Sequence, residues 1–457
     1  MKFNYSHLYF IGIGGIGMSN LARYFHTKGK CVAGYDKTRT TLTDELSAEG
    51  IAIHYNDVPD DLPAAFTNKA TTLVVRTPAV PDDLGELRYF IDHDFCVLKR
   101  AEVLGVISAE SKGLFIAGTH GKTTTSMMTA HLLKQSHVDC SAFLGGISNN
   151  YQTNLLLSDK SDLTIIEADE YDRSFHHLTP WMAVVTSVDP DHLDIYGTHA
   201  AYLESFAYFT SLIRPGGCLV IKKGLPLRPR LQEGVRQYTY SVTSEADFYA
   251  TNIRYEPGRL FFDFTRFGVC LKDIELGVPV RINVENAVAA MALAHLNGAT
   301  DEELRTGIGT FKGTRRRFDR VVNREDFVYI DDYAHHPEEL KASILSIKEL
   351  YPGRKVTGIF QPHLYSRTND FADDFARVLS LLDDLILLDI YPAREKPIPG
   401  VTSDMILQKV NLSSKVVTSL SKVFEVLNHK QPEVLVTLGA GNIDTLVSLL
   451  KKRYEVC

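Results

Sequence analysis

The chain has 457 residues, 44% of them apolar, which is enough for about three domains with a core each and argues against disorder. Forty-nine Lys and Arg against 56 Asp and Glu give a net charge of −7 without any basic run of the kind that tracks phosphates, so no nucleic-acid partner is expected. Six scattered cysteines without a CxxC pair, no apolar stretch of about 18 residues, and an amino terminus (MKFNYSHLYFIGIGG) lacking a normal signal h-region predict a soluble, cytoplasmic protein with reduced thiols and no membrane partner.

Residues 1 to about 106 alternate short apolar runs (His7 to Ile11, Cys31 to Tyr35, Thr72 to Val75) with helix-like segments, the pattern of a parallel sheet with crossover helices. The first run leads straight into Gly12-Ile13-Gly14-Gly15-Ile16-Gly17, a GxGxxG turn, and Asp36 stands at the end of the next strand candidate. Glycines here let backbone N–H groups and a helix N-terminus approach a diphosphate. Taken alone, the turn suggests an NAD-dependent dehydrogenase with Asp36 on the ribose hydroxyls. The physics asks only for a diphosphate, which a UDP-sugar supplies as well, and a purely structural tight turn is the bland alternative.

From Gly113 the pattern restarts, and the run GLFIA meets Gly118-Thr119-His120-Gly121-Lys122-Thr123-Thr124 before another helix-like stretch. The glycines can wrap phosphate oxygens, Lys122 adds a cation, and the Thr123 hydroxyl can ligate Mg²⁺, so a nucleoside triphosphate is the expected ligand. The spacing is two residues shorter than GxxxxGK[ST], which narrows the group of nucleotide users. Two acidic clusters follow the strand-like runs Leu163 to Ile166 and Met182 to Ser187: Glu167, Asp169, Glu170 and Asp172 in one, Asp189, Asp191, His192 and Asp194 in the other. Ligands of α/β sheets bind at the carboxyl ends of strands, so both clusters should face the phosphate loop, with Glu167 and His192 as candidate metal ligands. A solvated acidic turn is the competing reading of either cluster alone.

Between about Val235 and Val280 the runs are short, aromatic and turn-broken, suggesting a small antiparallel excursion before a helix near Asn283 to Asn297. A third restart follows at Phe327 to Ile330, Lys355 to Phe360, Asp384 to Ile390 and Val434 to Leu438. The pairs His176-His177 and His335-His336 lack a second ligand set at useful spacing, so they read as substrate contacts or surface residues rather than a zinc site.

The motifs GIGGIG at Gly12, AGTHGKTTT at Ala117, EADEYDRSF at Glu167, DHLD at Asp191, GTRRRFD at Gly313, DDYAHHP at Asp331, FQPHLYSRT at Phe360 and GAGNID at Gly439 span nearly the whole chain. Together they resemble the Mur ligases, ATP-dependent amide-forming enzymes of bacterial peptidoglycan synthesis, and within them the alanine-adding branch. The resemblance implies an α/β protein of three domains in series: a Rossmann-like UDP-sugar-binding domain (1–106), a central P-loop ATPase domain with a mostly parallel sheet (107–319) and a Rossmann-like amino-acid-binding domain (320–457). It implies UDP-N-acetylmuramate, L-alanine and ATP with Mg²⁺ as partners, and a role in cell wall biogenesis, cell shape and cell division. Gly12, Gly14, Gly15, Gly17 and Asp36 would hold the sugar nucleotide. Gly118, Thr119, His120, Gly121, Lys122, Thr123 and Thr124, with Asn283, Asn286, Arg317 and Asp332, would hold ATP. Thr123, Glu167 and His192 resemble metal ligands, and Tyr333, His335 and Arg367 resemble the groups that receive the amino acid. The implied catalytic set is Lys122, Glu167, His192, His335 and Arg367.

Three positions depart from the family pattern. Ile282 stands where many relatives carry the histidine of HNxxN, Phe206 stands where several carry a lysine modified to a carbamate, and Leu364 stands where some carry an arginine. Arg317 and Arg367 could instead be surface salt-bridge partners, and Asn283 and Asn286 could cap a helix. The nearest rival activity is a peptide-recycling ligase acting on the same sugar nucleotide. A dehydrogenase would leave the phosphate loop and both acidic clusters unexplained, and a non-catalytic nucleotide switch is the third option. A monomer or weak homodimer is expected.

Overall fold

Three β-sheets organise the computed structural model, which describes residues 5–393 and 395–455 without the side chains of Leu193 and Asp194. Asp194 in the second acidic cluster and Cys457 therefore lie outside the described residues. By internal packing the chain divides into two units, one of Met1–Thr251, Asp263–Ile274 and Val284–Thr310, the other of Asn252–Phe262, Glu275–Asn283 and Phe311–Cys457.

The first unit opens with β1 (His7–Ile11), β2 (Cys31–Tyr35), β3 (Ala52–His54), β4 (Thr72–Arg76) and β5 (Cys96–Lys99). They pair in parallel in the order β3-β2-β1-β4-β5. Strands covered on both faces read as apolar runs. Leu8 and Phe10 pack with Met18, Leu21 and Phe25 of helix α1 (Ile16–Thr27), while Tyr9 and Ile11 point oppositely, toward Phe66, Leu87 and Phe90. Helices α2 (Thr41–Ala48), α3 (Gly85–Asp92) and α4 (Arg100–Ala109) complete the crossovers.

The second sheet takes β6 (Lys112–Ala117), β7 (Ser141–Phe143), β8 (Leu155–Leu156), β9 (Leu163–Glu167), β10 (Met182–Val185), β11 (Cys218–Lys222), β12 (Arg236–Ser241), β13 (Phe248–Glu256), β14 (Arg259–Arg266) and β15 (Val269–Glu275). Its order is β15-β14-β13-β12-β11-β10-β6-β9-β7-β8. Strands β6, β9, β10 and β11 are parallel and register so that Ala117 of β6 faces Val185 of β10, and Ile116 faces Glu167 of β9. Helix α5 (Lys122–Gln135) follows β6. The expected antiparallel excursion needs correcting at its start: β11–β12 and β12–β13 are parallel pairs, so the aromatic runs begin by extending the central sheet, and only β13, β14 and β15 follow one another as sheet neighbours through two-residue turns. Turn density alone does not fix strand direction, because the return path can run through a long loop such as 223–235. The expected helix near Asn283 is present as Arg281–Leu296.

The second unit holds β16 (Asp319–Asn323), β17 (Val328–Asp332), β18 (Val356–Phe360), β19 (Asp384–Leu388), β20 (Lys415–Thr418) and β21 (Val434–Leu438), in the order β16-β17-β21-β18-β19-β20. All pairs are parallel except β16–β17. Tyr329, Ile359, Ile386 and Leu435 meet Leu446 and Leu450 of the helix Thr445–Glu455 in one core. Among the described residues no helix is long and apolar enough to cross a membrane.

Candidate functional site

The phosphate loop is shaped by what lies beneath it. Gly118 and Gly121 hold φ of +138° and +82°, a region open to glycine, and a Cβ on them would come within 2.1 Å of Thr186 Oγ1 and 2.6 Å of Asn286 Oδ1 respectively. The segment after β10 braces the loop: Thr186 Oγ1 donates to His120 O (2.5 Å), and Ser187 Oγ accepts from His120 N (2.7 Å). Thr119 Oγ1 donates to Asp189 O (2.8 Å) and pairs with the Tyr202 hydroxyl (2.9 Å). Thr123 is buried in the first turn of α5, and Thr124 follows it there.

Lys122 folds back over this loop. Its Nζ donates to Gly118 O at 2.6 Å and pairs with Glu170 Oε1 at 2.8 Å. Glu170 is buried, which pushes its carboxyl pKa up, with the Lys122 ammonium acting in the opposite direction. Glu170 Oε1 also lies 4.0 Å from His192 Nε2, and the Tyr196 hydroxyl donates to Glu170 O at 2.5 Å. His192 has φ +50°, and so do its neighbours in kind across the site, Asp172 (+51°) and Arg173 (+54°). Three non-glycine residues in the left-handed region so close together is backbone strain of the sort found at functional sites.

Glu167, chosen from the sequence as a metal ligand, ends β9 at the edge of the same loop, and Gly145 makes room for it: a Cβ there would come to 2.0 Å of Glu167 Oε2. Glu170, three residues on, is the carboxylate that meets Lys122 and His192. Sequence reasoning placed it in the cluster but gave it no role, because nothing in EADEYD tells which acid the turn folds inward. No ready group of three metal-ligating side chains exists among the described residues. The donors present, the Thr123 hydroxyl, Glu167, Glu170 and His192, fit a hard cation that arrives with phosphate oxygens and keeps several waters. A buried Glu170 Oε2 lacking any hydrogen-bond partner is consistent with that. Phe206, at the carbamate position, is fully buried with its ring 5.1 Å from Phe175 and 5.0 Å from Tyr202, so an aromatic core replaces a ligand there.

Asn286 reaches the first turn of α5, its Oδ1 accepting from Thr125 Oγ1 at 3.2 Å. Asn283, one turn earlier, is buried with Nδ2 3.4 Å from Val278 O. Ile282 is 59% exposed and makes no substitute for a histidine contact through packing.

The amino-terminal glycine turn is built differently. Gly12 and Ile13 donate to Tyr35 O, and the Asp36 carboxylate accepts from Gly14 N (2.8 Å) and Thr38 N (3.0 Å). Asp36 thus clamps the turn itself, with both oxygens on backbone, instead of standing free for a ribose. Gly15 precedes α1 as its N-cap without a side-chain cap, and Gly17 lies against the Arg100 guanidinium.

In the second unit the rings of Tyr333 and His335 lie 5.3 Å apart, those of His335 and His363 6.1 Å, and Arg367 Nη1 is 3.4 Å from His363 Nδ1. His363, unmarked in the sequence reading, links these predicted residues and stacks on Tyr391 at 5.7 Å. His335 Nδ1 is 2.9 Å from Tyr333 O. Leu364 takes φ +71° at the start of the helix Tyr365–Asp370, where it sets the entry of the segment carrying Arg367. His336 caps the helix Pro337–Leu350, and His176 stacks half-buried on Phe175. Arg317 N donates to Thr314 O, and burial raises the pKa of Asp332.

Arg316, overlooked beside Arg317, is the hub. Its Nη2 donates to Gly439 O (2.6 Å), its Nη1 lies 3.4 Å from Asp444 Oδ2, and its Nε lies 3.6 Å from Asp331. The guanidinium also covers the Tyr333 ring at 4.9 Å. One side chain therefore ties GTRRRFD, DDYAHHP and GAGNID together. The only sequence signal was the repetition of arginines at 315–317, which does not say which one turns inward.

Such a protein, with a glycine turn in one parallel sheet, a lysine-bearing phosphate loop in the next and a histidine–arginine cluster on a third, is a modular α/β protein of the nucleotide-using type. Family models match it along its length: "Mur ligase family, catalytic domain" at residues 7–112, "Mur ligase middle domain" at 116–294 and "Mur ligase, glutamate ligase domain" at 316–441. A UDP-N-acetylmuramate–L-alanine ligase of Parabacteroides distasonis is 62% identical over 97% of this chain and 96% of its own, and one of Porphyromonas gingivalis 59% identical over 98% and 99%. The chain belongs to the Mur ligase family. The crystal structure of the UDP-N-acetylmuramate–alanine ligase of Thermotoga maritima superposes with a TM-score of 0.83 at 26% identity, covering 98% of this chain and 99% of that one.

Proposed function

We infer that this protein is an ATP-dependent ligase joining L-alanine to the lactyl carboxylate of UDP-N-acetylmuramate in peptidoglycan precursor synthesis. The observation that carries the reading is the loop at Gly118–Thr123, with Lys122 paired to a buried glutamate, in a chain 62% identical to a ligase of that name. We assign residues 1–106 to the sugar nucleotide, 107–319 to ATP and 320–457 to the amino acid, and place the protein in the cytoplasm as a monomer or weak homodimer.

A carboxylate is a poor electrophile, and transfer of the γ-phosphoryl of ATP converts it to an acyl phosphate that the alanine amine attacks, expelling phosphate. Phosphoryl transfer is mostly a matter of position and charge. Lys122 would leave Glu170 to hold the β- and γ-phosphate oxygens, and the backbone N–H groups of Gly121 to Thr123 would orient the chain of phosphates. Mg²⁺ would be held by Thr123, Glu167 and His192, and would neutralise phosphate charge. Arg367 would take the alanine carboxylate and His335 is the candidate to accept the amine proton. Tyr333, fixed by Arg316, would shape that site.

The test is mass-spectrometric identification of the product formed from UDP-N-acetylmuramate, ATP and mixed amino acids, with a tripeptide in competition. The alanine adduct should dominate, and ATP consumption should require both acceptor and amino acid. Brisk hydrolysis indifferent to either, or preference for the tripeptide, would overturn the reading.

A further inference from the structure

Arg100 opens α4, and its guanidinium reaches two places at once. Its Nη1 lies so near the first turn of α1 that a Cβ on Gly17 would come within 2.1 Å of it. Its Nη2 donates to Asp169 Oδ2 at 2.8 Å. The glycine turn carries no lysine or arginine of its own from Gly12 to Asn20, and α1 has neither an acid in its first turn nor a side-chain cap. A helix N-terminus supplies only about half a positive charge, too little to balance a diphosphate. Arg100 brings the missing cation from another element.

Asp169 is followed directly by Glu170, the partner of Lys122. Two successive carboxylates of one turn thus clasp two phosphate-seeking cations, one beside each glycine turn. The turn is tied tightly: Asp169 Oδ1 accepts from Tyr171 N (3.1 Å), Asp169 O accepts from Phe175 N (2.9 Å), and Asp172 pairs with Lys99 Nζ at 2.8 Å. Asp172 and Arg173 in the same turn hold left-handed φ of +51° and +54°.

We propose that Arg100 is a ligand of the sugar-nucleotide diphosphate, and that the Asp169–Glu170 turn couples this site to the phosphate loop. The inference rests on the sugar nucleotide being the occupant of the glycine turn. A diphosphate there draws Arg100 off Asp169, a triphosphate at the loop draws Lys122 off Glu170, and either release loosens the one turn that resists the other. Binding of each ligand therefore tightens binding of the other by the same factor, as linkage requires.

Calorimetric titration of the full chain with UDP-N-acetylmuramate, with and without saturating AMP-PNP and Mg²⁺, measures that factor. In the parent it should be about fivefold or more in both directions. Arg100→Met should weaken sugar-nucleotide binding by about tenfold or more while AMP-PNP alone binds at least as tightly as to the parent, since the Arg100–Asp169 pair that resists it is gone, with Arg100→Lys recovering part of the sugar-nucleotide loss. Asp169→Asn, which frees Arg100, should bind the sugar nucleotide at least as tightly as the parent and be indifferent to AMP-PNP. Equal sugar-nucleotide binding by Arg100→Met, or an unchanged coupling factor in Asp169→Asn, overturns the inference and leaves the proposed function standing. A parent chain that does not bind UDP-N-acetylmuramate at all overturns both.

Discussion

The two glycine turns of the first unit share a plan, strand, then glycines, then helix, yet they hold charge in opposite ways. The loop after β6 carries its own cation in Lys122 and keeps it on a buried carboxylate. The turn after β1 carries no cation, and its nearby acid, Asp36, is spent on the backbone of Gly14 and Thr38. The first arrangement suits a ligand whose charge changes during reaction, the second a ligand that is only gripped. On that reading one backbone plan would serve chemistry in one place and tethering in the other, and the side chains that meet each turn, Lys122 with Glu170 and Asp36, would decide which.

Lys122→Ala should break that contrast most strongly. Product formation should fall by at least about 10²–10³-fold, the scale of losing a principal charge-stabilising group, while the amino-terminal turn still binds UDP-N-acetylmuramate. Steady-state assay with parallel calorimetry reads both, and loss of sugar-nucleotide binding of similar size would mean that the two turns do not differ in this way. A smaller effect is expected from Gly121→Ala. At φ +82° an L-residue costs about 1–2 kcal/mol, and its Cβ would also meet Asn286 Oδ1 at 2.6 Å, so both melting temperature and ATP affinity should drop. If Gly121→Ala bound ATP like the parent, the close approach of loop and Asn286 would be unimportant. Asp36→Ala comes next: losing a charged acceptor from two backbone N–H groups should cost about 1–3 kcal/mol and raise the KM for the sugar nucleotide with kcat little changed. A fall in kcat at unchanged KM would instead place Asp36 in the chemistry.

How much of this was legible follows from the same contrast. The strands His7–Ile11, Cys31–Tyr35 and Val434–Leu438 were readable to the residue, because both faces of a parallel sheet are buried and the apolar run has sharp ends. The two loops were readable because glycine, lysine and threonine act locally. Direction of pairing at β12 and β13 was not, since it depends on where a distant strand lies. Neither were Glu170, Arg100, Arg316 and His363. Each sits among like residues in sequence (EADEYD, KRAE, RRR) or bears its meaning only through a contact with an element far along the chain, and only the fold selects among them.

The strands that lead into the two turns differ too, which gives the most delicate test. From Leu114 to Ala117 β6 is apolar and fully buried, whereas β1 carries Tyr9, whose hydroxyl donates to Glu86 Oε2 (2.5 Å) and lies 2.6 Å from His54 Nε2. His54 Nε2 is in turn 3.1 Å from Glu86 Oε1. Burial pushes the Glu86 carboxyl up to about 7 and pushes His54 down. Between the ordinary glutamate value near 4.3 and about 7, the folded chain holds a proton on Glu86 that the unfolded chain has lost. The stability owed to Glu86 is therefore full below that window and declines as pH rises through it. His54 works the other way, losing stability as pH falls, so the parent alone does not separate the two. Glu86→Gln keeps an acceptor for Tyr9 without the titration. Its melting temperature relative to the parent should climb by a few degrees as pH is raised from about 4.5 to 7. Parallel curves for the two proteins would mean that Glu86 stays ionised in the fold, and that the first strand is as indifferent to charge as the one that leads to Lys122.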